Sequence, residues 1–186
     1  MATTRRIYAF TLIELLVVVA IIAILAAIAV PNFLEAQTRS KTTRVRADLR
    51  TLATALAAYY VDSNAYPQTN FVPRFRRFTS ITTPISYITS VPNDPFAPDD
   101  PGGPGPWRSV GDYKFGTMPL EAAHRYALAS DGPDRIDDTN PIRFYPGYTP
   151  ELFYGGVVGY EYTLYDPTNG TISRGDVFRA SDYSPG

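Results

Sequence analysis

A chain of 186 residues has room for one domain and an attached element, not for two full domains. Its formal net charge of −1 creates no field of the kind that draws a protein to nucleic acid. With no cysteine and a single histidine, His124, the chain excludes disulfide staples, thiolate zinc sites, cysteine nucleophiles and multi-histidine metal centres. The near-neutral total hides an asymmetry. Residues 1–61 carry seven Lys/Arg against three Asp/Glu, and residues 62–186 carry ten against fifteen. All thirteen glycines and sixteen of the seventeen prolines lie beyond residue 61, so the first third is built differently from the rest.

Residues 10–30 read FTLIELLVVVAIIAILAAIAV, with Thr11 and Glu14 as the only polar members. As a helix this run extends roughly 30 Å at about 1.5 Å per residue, the thickness of a hydrocarbon core. A secretory signal peptide is one reading, with Arg5 and Arg6 as its basic start and Ala27-Ile28-Ala29 as its small-residue exit. Such apolar runs usually span about 7–15 residues, and this one is longer. Glu14 within it reads either as a side chain snorkelling to the headgroups or as a functional charge, and position alone does not separate the two.

The segment Arg5-Arg6-Ile7-Tyr8-Ala9-Phe10-Thr11-Leu12-Ile13-Glu14 resembles the class III leader of type IV pilins and type II secretion pseudopilins. The resemblance implies cleavage between Ala9 and Phe10 by a prepilin peptidase and N-methylation of Phe10. Ala9 stands where the family has Gly. A cut there would make Glu14 the assembly glutamate and Pro31 the helix-loosening proline of the family. Physically, the new amine at Phe10 and the Glu14 carboxylate of a neighbouring subunit would neutralise one another in lipid, where an unpaired charge is costly. Arg5 and Arg6 favour a cytoplasmic leader. Arg39, Lys41, Arg44, Arg46 and Arg50, beyond the apolar run, pull the other way, so the charge rule alone is undecided. The family places that side outside.

Pro31 removes one helix donor and crowds the preceding turn, which predicts a kink. Beyond it, Val45, Leu49, Leu52, Leu56 and Tyr59 recur at spacings of four and three, one apolar stripe on a helix. Arg39, Arg46 and Arg50 fall on another face. That face reads as a solvated helix surface or as contact with lipid headgroups or the acidic heads of neighbouring subunits. No Gly or Pro interrupts residues 32–61. One helix over about residues 10–62 is predicted.

Residues 63–186 contain twenty aromatic side chains, enough to fill a small core beside that stripe. Tyr66-Pro67, Val91-Pro92, Asp94-Pro95 and the Pro-rich run at 101–106 punctuate loops. Strands are predicted at 110–116, 125–129 and 157–165. Residues 166–170, DPTNG, then turn into Thr171-Ile172-Ser173. No nucleophile elbow or phosphate-binding glycine loop is present. His124 beside Arg125 reads as a surface or half-buried side chain, and Asn169-Gly170-Thr171 as a turn, so an enzyme is not expected. Asp131, Asp134, Asp137 and Asp138 cluster in residues 130–138. On composition alone they read first as a solvated Asp-Gly-Pro turn, and otherwise as ligands for a hard oxygen-ligated cation such as calcium. The spacing is not that of an EF-hand.

Here a second resemblance enters. Residues 126–134, YALASDGPD, look like the segment preceding the calcium loop of the major, G-type pseudopilin. Gly175-Asp176-Val177 resembles its closing Asp-Ile, and residues 87–96 its Tyr-Leu…Leu-Pro-x-Asp-Pro-Trp stretch. The resemblance implies calcium held by the Leu128 carbonyl, Ser130, Asp134 and Asp176. It also implies an α+β, pilin-like fold: a long N-terminal helix packed against a small antiparallel-sheet head. The expected organisation is a leader at 1–9, a transmembrane helix at 10–31, an amphipathic stem at 32–62 and a head at 63–186. The expected role is a structural subunit of a type II secretion pseudopilus in the bacterial inner membrane, its head periplasmic. Its expected partners are copies of itself, minor pseudopilins, the prepilin peptidase and an assembly platform. A type IV pilin for adhesion, motility or DNA uptake is the alternative. A third reading is an exported binding domain with an ordinary signal anchor.

Overall fold

In the computed structural model the described residues are 10–69, 76–97, 111–118, 123–135, 165, 175 and 177–181. The element order is α1 (Leu12–Ser63), α2 (Thr79–Thr82), β1 (Lys114–Met118), β2 (Arg125–Ser130) and β3 (Val177–Ala180). The architecture is α+β, a long N-terminal helix with a small antiparallel sheet.

Helix α1 matches the predicted span to within two residues at its start and one at its end. Pro31 lies inside it and the helix continues without a break. It stops at Asn64, whose φ of 53° is left-handed. The Asn64 N–H reaches back to the Tyr60 carbonyl at 2.8 Å, and asparagine tolerates this conformation better than most residues. Four threonines along the helix, Thr42, Thr43, Thr51 and Thr54, donate their hydroxyls to the carbonyls four residues earlier.

The chain divides into two units, Met1–Gln37 and Thr38–Gly186. In the first, the apolar side chains from Leu12 to Leu34 that carry the helix are all exposed. In the second, the stripe is buried as predicted: Val45, Leu49, Leu52 and Leu56 are each at most 2% exposed. Ala53 and Ala55 join them, and Tyr59 packs against the cluster half-buried.

The sheet order is β1-β2-β3, antiparallel throughout, with Phe115 opposite Leu128 and Ser130 opposite Val177. Tyr126, Leu128 and Val177 join the core formed with α1, while Ala127, Ala129, Phe178 and Ala180 form a second buried cluster. Alternate residues of β2 therefore enter two different clusters, as strand geometry requires. Aromatic rings fill the main core. Phe78 stacks on Phe115 at 5.2 Å, and Tyr66 meets Tyr126 edge-on at 4.8 Å. Arg77, also buried, donates to the Phe115 carbonyl at 2.7 Å. Two phenols tie the head to the stem: Tyr113 donates to Asp48 and Tyr87 to Asp62, both at 2.8 Å.

The strand predicted at 110–116 is shifted, beginning at Lys114, because Gly111 adopts a left-handed turn (φ 71°) and Asp112 makes only an isolated bridge to Asn93. The strand predicted at 125–129 is β2. The strand predicted at 157–165, apart from Tyr165, and the turn and strand after it lie outside the described residues.

Candidate functional site

Two regions carry the predicted site residues. The first is the start of α1. Ala9 lies outside the described residues, and Phe10 is exposed just before the helix. Thr11 caps the helix: its N–H and hydroxyl donate to Glu14 Oε2 at 2.9 and 2.6 Å, and the Glu14 N–H returns to the Thr11 hydroxyl at 3.3 Å. This reciprocal pattern satisfies donors that the first turn otherwise leaves without partners. Glu14 thus has a local role beside the one expected of it. Thr11 is the residue that sequence reasoning passed over, although Thr-x-x-Glu before an apolar run is itself the signature of such a cap.

From this cap onward α1 is long and apolar enough to cross a membrane, near the N-terminus and with its apolar window unburied. Exposed apolar surface on this scale is what a lipid-anchored helix presents. Further along, Arg39, Lys41, Arg44, Arg46 and Arg50 are all exposed, with Arg44 pairing to Asp48 one turn later at 3.6 Å.

The second region is the turn after β2. The strand ends at Ser130, whose hydroxyl donates to Asp94 Oδ1 at 2.8 Å and accepts from the Gly132 N–H at 3.4 Å. Asp94 also receives the Phe96 N–H at 2.9 Å, and its own N–H reaches the Gly111 carbonyl at 2.7 Å. Burial pushes the Asp94 carboxyl up to about 6. The bonds from Phe96 and Ser130 oppose that shift, Asp131 adds to it, and the Lys114 charge works against it. Asp131 forms an ion pair with Lys114, with side chains 10% and 4% exposed. The chain turns at Gly132 (φ 69°), and the Arg135 N–H closes the turn onto the Gly132 carbonyl at 3.2 Å.

The expected calcium ligands can be set against this geometry. The Tyr126 carbonyl accepts from the Ser181 N–H on the β3 side, so by strand alternation the Leu128 carbonyl also faces β3, opposite Arg179. The Ser130 hydroxyl is engaged by Asp94 and Gly132. Asp134 lies half-buried in the turn, and Asp176 falls outside the described residues. The register does carry the chain next to Asp176 to this end of the sheet, since Val177 pairs with Ser130. Among the described residues no group of three or more His, Asp or Glu is arranged to hold a metal ion. Lys114, a residue no spacing argument singled out, pairs with Asp131 of this turn.

Residues 4–30 match the profile of the prokaryotic N-terminal methylation motif. Type IV major pilin protein PilA of Myxococcus xanthus is 51% identical over 57 residues, which is 31% of this chain but only 26% of that pilin's length. The type II secretion system core protein G of Aeromonas hydrophila is 28% identical over 141 residues, 72% of this chain and 90% of that protein. Its namesake in Escherichia coli is 30% identical over 106 residues, 53% of this chain and 73% of that protein. No solved structure matches. Methylation motif, long capped helix and small antiparallel sheet together define a pilin-like subunit with an N-terminal anchor. More narrowly, the chain belongs to the family of type II secretion system core protein G.

Proposed function

We propose that the chain is a structural subunit of a type II secretion pseudopilus, assembling through its N-terminal helix to drive protein export. The observation that carries this reading is the reach of the likeness. Similarity to core protein G extends over 141 residues, whereas similarity to the myxococcal pilin extends over 57. An N-terminal segment alone would not separate a pseudopilin from a type IV pilin, because the methylation motif occupies only residues 4–30.

In this role a prepilin peptidase cuts between Ala9 and Phe10 and methylates the Phe10 amine. The exposed apolar part of α1 holds the subunit in the inner membrane, with the head in the periplasm. On assembly the Glu14 carboxylate of one subunit faces the Phe10 amine of another, so that neither charge stays unpaired in lipid. The partners are further copies of the chain, minor pseudopilins and an inner-membrane assembly platform. The chain itself does structural work, not catalysis.

Intact mass of the protein extracted from membranes tests the processing: the expected species lacks residues 1–9 and carries one methyl group on Phe10. A species beginning at Val30 would refute it in favour of an ordinary signal peptide. Deletion of the gene tests the role. Exported proteins held in the periplasm, with surface filaments intact, support the pseudopilus. Lost surface filaments with normal export support a type IV pilin.

A further inference from the structure

From Glu35 to Arg50 five basic residues stand against two acids, Glu35 and Asp48. The five, Arg39, Lys41, Arg44, Arg46 and Arg50, are all exposed. Arg39, Lys41 and Arg44 come first after the apolar run, five, seven and ten residues beyond Leu34, its last large exposed apolar side chain. These three do not share a face. At 3.6 residues per turn Lys41 lies about 200° and Arg44 about 140° round the helix from Arg39. Val45 and Leu49 of the buried stripe fall in the remaining gap, at about 240° and 280°, so the three charges are spread over the side of α1 that the core leaves open. A protein laid along a helix meets one face of it, whereas a layer of headgroups meets a helix passing through it from every side. Arg46 is differently placed, over the ring of Tyr165 at 6.0 Å, and Arg50 stands a further turn along.

The direction of the side chains matters as much as their spread. Every Cα–Cβ bond of an α-helix tilts toward its N-terminus, so these side chains lean back toward the apolar run. Lysine and arginine carry their charge at the end of long apolar stems. The polar layer of a bilayer adds roughly 5–8 Å on each side of the hydrocarbon. Arg39 and Lys41 stand about 8 and 11 Å beyond Leu34 along a helix, and Arg44 about 15 Å, distances from which backward-leaning stems deliver charge into that layer or to its outer edge. The Arg44 contact with Asp48, at 3.6 Å and 63% exposed on the arginine side, is of a kind that contributes little and does not keep the guanidinium from a phosphate. We propose that Arg39, Lys41 and Arg44 form a basic collar that docks on the anionic phospholipid headgroups of the membrane α1 enters, on the side of the head. The proposal rests on the reading of α1 as a membrane anchor, and not on which filament the subunit joins.

Lys41 is its own reporter, because the only other lysine of the chain, Lys114, is 4% exposed. Val61→Lys, at an exposed position near the end of α1, adds a reference amine about 30 Å further along the same helix. The full chain with this change is reconstituted in vesicles of phosphatidylcholine, or of phosphatidylcholine and phosphatidylglycerol in equal parts. A small uncharged amine-reactive ester is added, and peptide masses give the ratio of modification at Lys41 to that at the added lysine. Phosphatidylglycerol should lower this ratio roughly fivefold, the discrimination one basic side chain gains near an anionic surface, and molar salt should restore it. Arg39→Gln/Arg44→Gln should lose most of the effect, and Arg46→Gln/Arg50→Gln should keep it. A ratio equal in the two kinds of vesicle would overturn the proposal. Protection that depends on Arg46 and Arg50 instead, or that grows with protein density in phosphatidylcholine alone, would also overturn it and assign the basic residues to the acidic head of a second copy. Chains that fail to float with vesicles of either kind would overturn the anchor reading, and the proposal with it.

Discussion

The phenol of Tyr113 offers a quantitative test of how the head is held on its helix. Tyr113 is 3% exposed, and its hydroxyl donates to Asp48 Oδ2 at 2.8 Å, joining the approach to β1 with α1. A hydrogen bond to a charged acceptor contributes about 1.5–3 kcal/mol. Asp48 keeps 21% side-chain exposure and a contact with Arg44, so after Tyr113→Phe it can turn to water, and the lower end of that range applies. With about 2–4 °C per kcal/mol for a chain of this length, Tm should fall by about 3–6 °C. Asp48→Ala should cost a similar amount plus the exposed Arg44 pair, worth about 0.3–0.5 kcal/mol. The double variant should fall short of the sum by about 1 kcal/mol or more, because both changes remove one bond. The pH dependence gives an independent check. Burial first, and then the bond to Asp48, hold the Tyr113 phenol well above its ordinary value. Folded Tyr113 is thus kept neutral, and its contribution is fully present below the unfolded value near 10. The contribution is lost as pH rises beyond that value, at up to about 1.4 kcal/mol per pH unit. The Tm gap between wild type and Tyr113→Phe, followed by circular dichroism, should therefore narrow between pH 9 and 11. Strictly additive single variants, or a gap indifferent to pH, would refute the reasoning.

Three further outcomes are expected. Glu14→Gln keeps the capping pattern with Thr11 and removes the charge, whereas Glu14→Val removes both; both should reduce crosslinked multimers in membranes, and a wild-type yield from Gln would show that only the cap matters. Leu52→Ala, at a position with no exposure, should destabilise the head by about 2–5 kcal/mol in denaturant titrations at an unchanged m-value. Asn64→Gly should leave stability, read from thermal unfolding, the same or slightly higher, while Asn64→Val should lower it by roughly 1–2 kcal/mol, because a β-branched residue resists the left-handed conformation that ends α1.

The helix was readable because its pattern is local. Val45, Leu49, Leu52 and Leu56 repeat at the helical period and nothing between residues 32 and 61 breaks it. Strand β2 was readable for a similar reason, as an uninterrupted apolar run. Strand β3 was not: Val177-Phe178-Arg179-Ala180 is short and enters both apolar clusters, so it lacks the alternation that marks a half-exposed strand. The turn after β2 was half readable. Its acids are visible in sequence, but the partners that satisfy them, Asp94 and Lys114, come from elsewhere in the chain, and only the antiparallel pairing of β1 with β2 brings Lys114 to that end. Spacing says nothing about such meetings.

The threonines of α1 have a consequence for the solvents this helix can meet. Thr43, Thr51 and Thr54 are exposed, yet each hydroxyl gives its hydrogen to the helix's own backbone. Around them lie small exposed side chains, among them Ala47, Ala57 and Ala58. When such a surface leaves water for the side of another protein, the hydroxyl hydrogens lose no partner, because their acceptor travels with them, and the removal of polar groups from solvent costs little. Outward threonine makes this stretch of α1 wettable while the chain stands alone and nearly as easy to dry as alanine when another helix is laid against it.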